Sequence, residues 1–170
     1  MPYPLYHIGP SGFIGLAFRK WIDLPVFMLA NVIVDIESFF FKGWPYHGHF
    51  HTLLFGAVVG AVWGLAAYPL RGFFGKMMRL MRLPYETSRW KMIFSGILGL
   101  WLHVIIDSIY HWDVRIFWPH MRERLYRWRL LTQGEVKIAG IVFLIAAIIL
   151  YATDVMAYMR DSKGEGNGLN

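Results

Sequence analysis

Three of the seven histidines in this 170-residue chain fall within five positions, His47, His49 and His51. A second cluster follows: His103 and Asp107 stand four apart, so a helix sets them on one face, which Tyr110 and His111 continue. His47 and His51 also share a face if a helix begins early there, and all three share one if the stretch is extended. His49 is then the spare. Asn31, Asp35 and Ser38 fall on one face of a helical segment, and Glu37 points elsewhere. His7 stands near the start; Asp113 and His120 follow the second cluster. Imidazole nitrogen with carboxylate oxygen suits zinc, and also manganese or iron. Two carboxylates, Asp35 and Asp107, and four or more histidines suffice for one metal with an outer shell. They also suffice for two metals sharing a bridging carboxylate. Glu37, His49, His111 and Asp113 are the candidates for that outer shell.

The elements that must carry these groups are apolar. The chain is 56% hydrophobic and 16% charged, where soluble domains hold about a quarter charged residues. Asp, Glu, Lys and Arg are absent from Gly43–Leu70, Met92–Ile106 and Ile138–Thr153. Runs of this kind approach the ~20 residues that cross a hydrocarbon core. The expected fold is all-α, an integral membrane bundle forming a single domain over residues 1–160. It has four full transmembrane helices and a short N-terminal one. The short helix is expected from Ser11 to about Lys20, with Pro10 as breaker and Ser11 as cap. The full helices are expected at Leu24–Phe41, with Pro25 in its first turn, and at about His51–Leu70, Met92–Tyr110 and Val136–Tyr158. Residues 161–170 are polar and glycine-rich and read as a disordered tail. "MPYPLYHIGPSGF" lacks the basic start and cleavage site of a signal peptide.

Alternating crossings put residues 1–10, 42–50 and 111–135 on one side of the membrane. The turn at Arg19–Lys20, the loop 71–91 and the tail lie on the other. All seven histidines then belong to the first side or to helix ends that meet it. The second side carries the larger share of the 17 lysines and arginines, which makes it cytoplasmic and turns the histidines away from the cytoplasm. The net charge of +6 is explained by such loops beside anionic lipid, so nucleic acid is not an expected partner. The absence of cysteine excludes disulfides, iron–sulfur clusters and thiolate zinc sites.

Several other patterns are structural. Residues 115–133 mix aromatic and aliphatic side chains with arginines, as an amphipathic stretch at the lipid surface does, or an ordinary basic loop helix. Gly56, Gly60 and Gly64 form a small-residue stripe that fits packing within the chain better than a homodimer. Trp21, Trp44, Trp90, Trp112 and Trp118 fall at segment ends, as in an interfacial belt. No P-loop or nucleophile elbow occurs.

The order "YHIGPSGFIG", "ANVIVDIES", "HGHFHTLLFG", "GLWLHVIIDSIYH" and "FWP" resembles the small membrane-bound metal-dependent hydrolases, the inner-membrane-associated hydrolases, over about residues 1–120. The resemblance implies a bacterial or archaeal plasma membrane. It implies metal residues at His7, Asp35, His47, His51, His103 and Asp107. Gly48 stands where the commoner pattern has arginine, and Thr52 follows His51 where it has serine. The arrangement is also similar, at the level of fold alone, to zinc-dependent phospholipase C.

Together these features lead to a metal-dependent hydrolase working at the lipid–water boundary, on a lipid phosphodiester before a carboxylic ester. His7 and Asp35 are the candidate catalytic groups, His7 as a ligand or as proton donor to the leaving group. Arg115 and Arg122 could hold a lipid phosphate, though surface solvation explains them better. Two other classes compete. A proton or divalent-cation transporter needs polar groups through the whole bilayer depth. A non-catalytic scaffold needs only a closed, four-ligand metal staple.

Overall fold

Long apolar runs between capping residues become helices, and the computed structural model describes residues 5–34, 51–120, 125–128 and 130–166. Six α-helices occur among them: α1 (Leu5–Ala17), α2 (Leu24–Ile33), α3 (Leu53–Ala67), α4 (Arg71–Leu80), α5 (Arg89–Tyr110) and α6 (Gln133–Gly166). Single 3₁₀ turns lie at Tyr68–Leu70 and Leu125–Trp128, and there is no strand among the described residues. By length and composition three helices can cross a membrane: Leu53–Leu80, taken as one span, Arg89–Tyr110 and Gln133–Arg160. α2 is apolar but shorter over its described part. The described residues are those of a helical membrane protein, with three helices long and apolar enough to cross.

Side-chain caps set most of the starts. Asp23 accepts from the Val26 amide ahead of α2, whose first turn holds Pro25. Thr52 accepts from Phe55 ahead of α3, and Ser88 from Lys91 ahead of α5. α6 begins at Gln133, three residues before the apolar run. Thr132 and Glu135 form a capping box there: the Glu135 carboxylate takes the Thr132 amide at 2.7 Å, and the Thr132 hydroxyl takes the Glu135 amide at 3.2 Å. The helix then continues to Gly166, into the stretch read as a tail. Extending an established helix is far easier than starting one.

Two expectations are corrected. α1 starts at Leu5, so Pro10 lies inside it and Ser11 is not its cap. The Ser11 hydroxyl instead donates to the His7 carbonyl at 2.6 Å. Membrane helices tolerate proline where such local groups and neighbouring helices compensate. His7 therefore sits in the first turn of a helix, not in the segment before it. Second, the basic region 71–91 is not all loop. Arg71–Leu80 is helical and carries on from α3, with Phe74 and Met78 buried against the bundle and Arg71, Lys76 and Arg79 outside. Its amphipathic pattern outweighs the charge that suggested a loop.

Glycines fix how closely the helices approach. A Cβ on Gly60 would lie 2.6 Å from the Gly96 carbonyl oxygen, and one on Gly64 2.3 Å from that of Met92. The glycine stripe thus packs within the chain, bringing α3 antiparallel against α5. Gly9 meets the Gly140 carbonyl in the same way, seating α1 on α6. The far end of α1 is pinned by Arg19, which grips the Asp154 carboxylate through both terminal nitrogens at 2.7 and 2.9 Å. Outward, Val58 and Val62 on α3 and Ile145, Ile148 and Ile149 on α6 are exposed, as side chains facing lipid are. Trp21, Trp90 and Trp112 are exposed at helix ends, where a membrane interface belt lies.

Candidate metal centre

The helix registers decide which polar groups meet. Along α3 and α5, Gly64 faces Met92 and Gly60 faces Gly96, so positions rising in α3 match positions falling in α5. Carried to the start of α3, that pairing sets His51 level with the last turns of α5, where His103 and Asp107 lie. α2 runs parallel to α5. The Asp23 amide donates to the Ser95 hydroxyl, and a Cβ on Gly99 would touch the Phe27 carbonyl. One turn further, Asn31 falls level with His103. α1 brings His7 to the same depth.

The result is one carboxylate among three imidazoles. Asp107 Oδ2 lies 3.1 Å from His103 Nε2 and 3.8 Å from His51 Nε2, and Asp107 Oδ1 lies 3.2 Å from His7 Nε2. The His7 and His103 rings stack, with centroids 4.2 Å apart and 14° between planes. The His51 ring is tilted 58° to that of His103, at 5.7 Å. All four residues are buried, none more than 4% exposed.

One ligand atom from each of His7, His103 and Asp107 falls within 4.8 Å of the other two, so this group could bind a metal ion. The chemistry of the donors agrees. Ligands held at ~2.0–2.1 Å around a tetrahedral ion stand about 3.3 Å from one another, close to the spacings around Asp107. The stacked rings of His7 and His103 cannot both carry charge without strong repulsion, whereas a shared cation needs both neutral. His7 Nδ1 is buried and has no partner among the described residues. One nitrogen of that ring therefore has its hydrogen-bonding capacity in reserve.

Of the ten residues singled out from sequence, His7, His51, His103 and Asp107 meet here. Asp35, Glu37, His47 and His49 lie outside the described residues. His111 closes α5, its amide donating to the Asp107 carbonyl at 2.7 Å. Asp113 is buried two residues further on. Asn31 was placed on the Asp35 face but not among the site residues. It is 4% exposed, its amide nitrogen donates to the Phe27 carbonyl, and its Oδ1 has no partner among the described residues. A buried amide in an otherwise apolar turn was the signal for it.

Comparisons with family models, with curated proteins and with solved structures find no match. The case for function rests on the geometry of the chain itself.

Proposed function

We propose that the protein is a membrane-bound, metal-dependent hydrolase of lipids, a phosphodiester being the first substrate class and a carboxylic ester the second. The observation that carries this reading is the buried convergence of His7, His51 and His103 on Asp107. His103, Asp107 and His7 would hold the ion, with His51 beside them. Zinc fits the donors best, with manganese or iron as the other choices. A bound divalent metal supplies Lewis acidity toward an ester or phosphoryl oxygen and toward water. The chain's own contribution is to bring the imidazole nitrogens onto one carboxylate and to keep bulk water out, with His7 serving as a ligand or, instead, as the proton donor to the leaving group. The cluster lies at helix ends, the depth at which a lipid headgroup meets the membrane. This reading counts α2 as a fourth crossing, turns the cluster away from the cytoplasm, and accords with the resemblance to inner-membrane-associated hydrolases.

Transport fits less well. Between Ser95 and His103 the buried residues of α5 are Gly96, Gly99 and Leu100. No ionisable side chain of α5 continues the cluster inward, as an ion pathway needs.

The test is metal content by mass spectrometry on detergent-purified wild type beside His51→Ala and His103→Ala, followed by a screen of phospholipids. The expected result is about one or two transition-metal ions per chain, lost in both variants, with hydrolysis that follows metal content. A folded wild type that takes up neither zinc nor manganese would end the hydrolase reading.

A further inference from the structure

A second feature shares the seam between α1 and α5 with the His/Asp cluster. His7 reaches Asp107 across that seam. On α1, Pro10 and Ile14 follow His7 at the i+3 and i+7 positions of the same face. On α5, Leu102 and Ile106 directly precede His103 and Asp107. These four residues line a cavity of about 210 Å³ whose opposite wall is α6, including Gly140 and Phe143. α6 packs along α1 and only grazes α5, which leaves the crevice open between α5 and α6.

Its shape and lining say what belongs there. On α5 it extends from Leu102 to Ile109, and on α6 from Val136 to Phe143. Each stretch is eight residues, about 10 Å from first to last along the helix axis. The crevice is therefore elongated along the two spans, the direction in which lipid chains run. Every lining residue is apolar: Pro, Ile, Leu, Val, Ala, Gly or Phe. Both walls belong to helices long enough to cross the membrane. A slot at that depth with no hydrogen-bonding side chain does not hold water or a polar headgroup. It accepts hydrocarbon.

We infer that the crevice takes one acyl chain of a bilayer phospholipid, entering sideways between α5 and α6. The ester of that lipid then lies at the outer end of the crevice, beside Ile109 and Val136, less than one helical turn from the level of Asp107. The functional half of this inference rests on the hydrolase reading; the binding half does not. Glycerophospholipids become the substrate class, with selection by chain as well as by headgroup.

The probe is a phosphatidylcholine carrying a photoactivatable diazirine midway along one chain, in nanodiscs with wild type, Ala139→Trp and Ile106→Trp. Ala139 lines the α6 wall and Ile106 the α5 wall, so each indole fills the slot from a different side. Labelled peptides are mapped by mass spectrometry, and melting temperature serves as the check on folding. In wild type, labelling is expected to concentrate on residues 102–109 and 136–143. Each tryptophan should lower it there by about tenfold with the fold retained. Labelling spread evenly over the lipid-facing sides of α3 and α6, or undiminished in both variants, would overturn the inference. If neither variant folds, the wild-type distribution decides alone. Concentrated labelling without hydrolysis of any phospholipid would keep the crevice and remove the hydrolase. Hydrolysis with uniform labelling would do the reverse.

Discussion

Two aspartates, Asp23 and Asp107, are each 1% exposed, and they lie near opposite ends of α5. Asp23 caps α2 and accepts from the Val26 amide, the Tyr85 hydroxyl and the Thr87 hydroxyl, at 3.2, 2.9 and 2.5 Å. Its own amide donates to Ser95, whose hydroxyl donates to the Lys91 carbonyl. Asp107 has three imidazoles instead. Hydroxyls and amides donate to a carboxylate but do not release protons or bind transition metals near neutral pH. Imidazoles do both. The first network closes the loop 81–88 onto the bundle. The second gathers groups whose charge can change. A buried carboxylate in a membrane protein is thus not by itself a functional site. The chemistry of its neighbours decides.

The sharpest way to break the contrast is to remove each acid in turn and read metal and stability together. Asp107→Ala should lower metal affinity by at least about a hundredfold, beyond the 10–100-fold typical of losing an outer-shell partner. Asp23→Ala should leave metal stoichiometry in the folded fraction intact. It should destabilise the protein by ~3 kcal/mol, through a lost cap and two stranded hydroxyls. Equal metal loss in both variants would mean that the two regions are not separable.

Chelation gives the next largest effect. Metal binding the native state alone stabilises by ~2.7 kcal/mol at a free concentration a hundred times the dissociation constant. Adding chelator should therefore lower the melting temperature of the wild type and of Asp23→Ala. It should not move Asp107→Ala. A chelator response surviving in Asp107→Ala would place the metal elsewhere.

A third test acts on the other aspartate. Burial, and then the charge of Asp23, push the Tyr85 hydroxyl well above its ordinary value. A group whose pKa is raised on folding contributes stability that is complete below its unfolded pKa, about 10 for tyrosine, and is lost as pH climbs through the folded value. Wild type should lose stability above about pH 10, and Tyr85→Phe should show a flatter alkaline limb. Metal retention over the same range is expected to be the same in both. An identical alkaline limb in the variant would deny the Asp23–Tyr85 bond its role.

The two regions were not equally legible in the sequence. The His103–Asp107 pair could be read because a helix repeats nearly every four residues, and α5 holds it as expected. The glycine stripe could be read too, and it turns out to set the height of His51. The Asp23 network could not. Asp23 and Thr87 are 64 positions apart, and neither sits in a periodic pattern. Pro10 reads as a break by the rule for soluble helices, whereas α1 runs through it. The start of α6 is marked by the capping pair Thr132 and Glu135, which lies ahead of the stronger hydrophobic signal. Local rules of capping and spacing carried far in this chain. Contacts between distant segments did not reveal themselves until the helices were packed.

Asn31 joins the two regions, because α2 begins at Asp23 and brings Asn31 level with His103. Its Oδ1, without a partner among the described residues, has two meanings. As a packing flaw it costs stability, and Asn31→Ala would be close to neutral: the bond to Phe27 is lost, but a stranded acceptor is removed with it. As part of the metal centre it serves the ligands or the substrate, and the same change would weaken metal binding by about tenfold. The second outcome is expected, since the register that carries Asp23 to Ser95 and Phe27 to Gly99 carries Asn31 to the level of His103 in the candidate centre. The two are separated by measuring metal affinity and melting temperature on one preparation of Asn31→Ala. A weaker affinity with an unchanged chelator-treated melting temperature assigns Asn31 to the centre. Unchanged affinity returns it to the packing of α2 on α5 and leaves the centre to the residues gathered around Asp107.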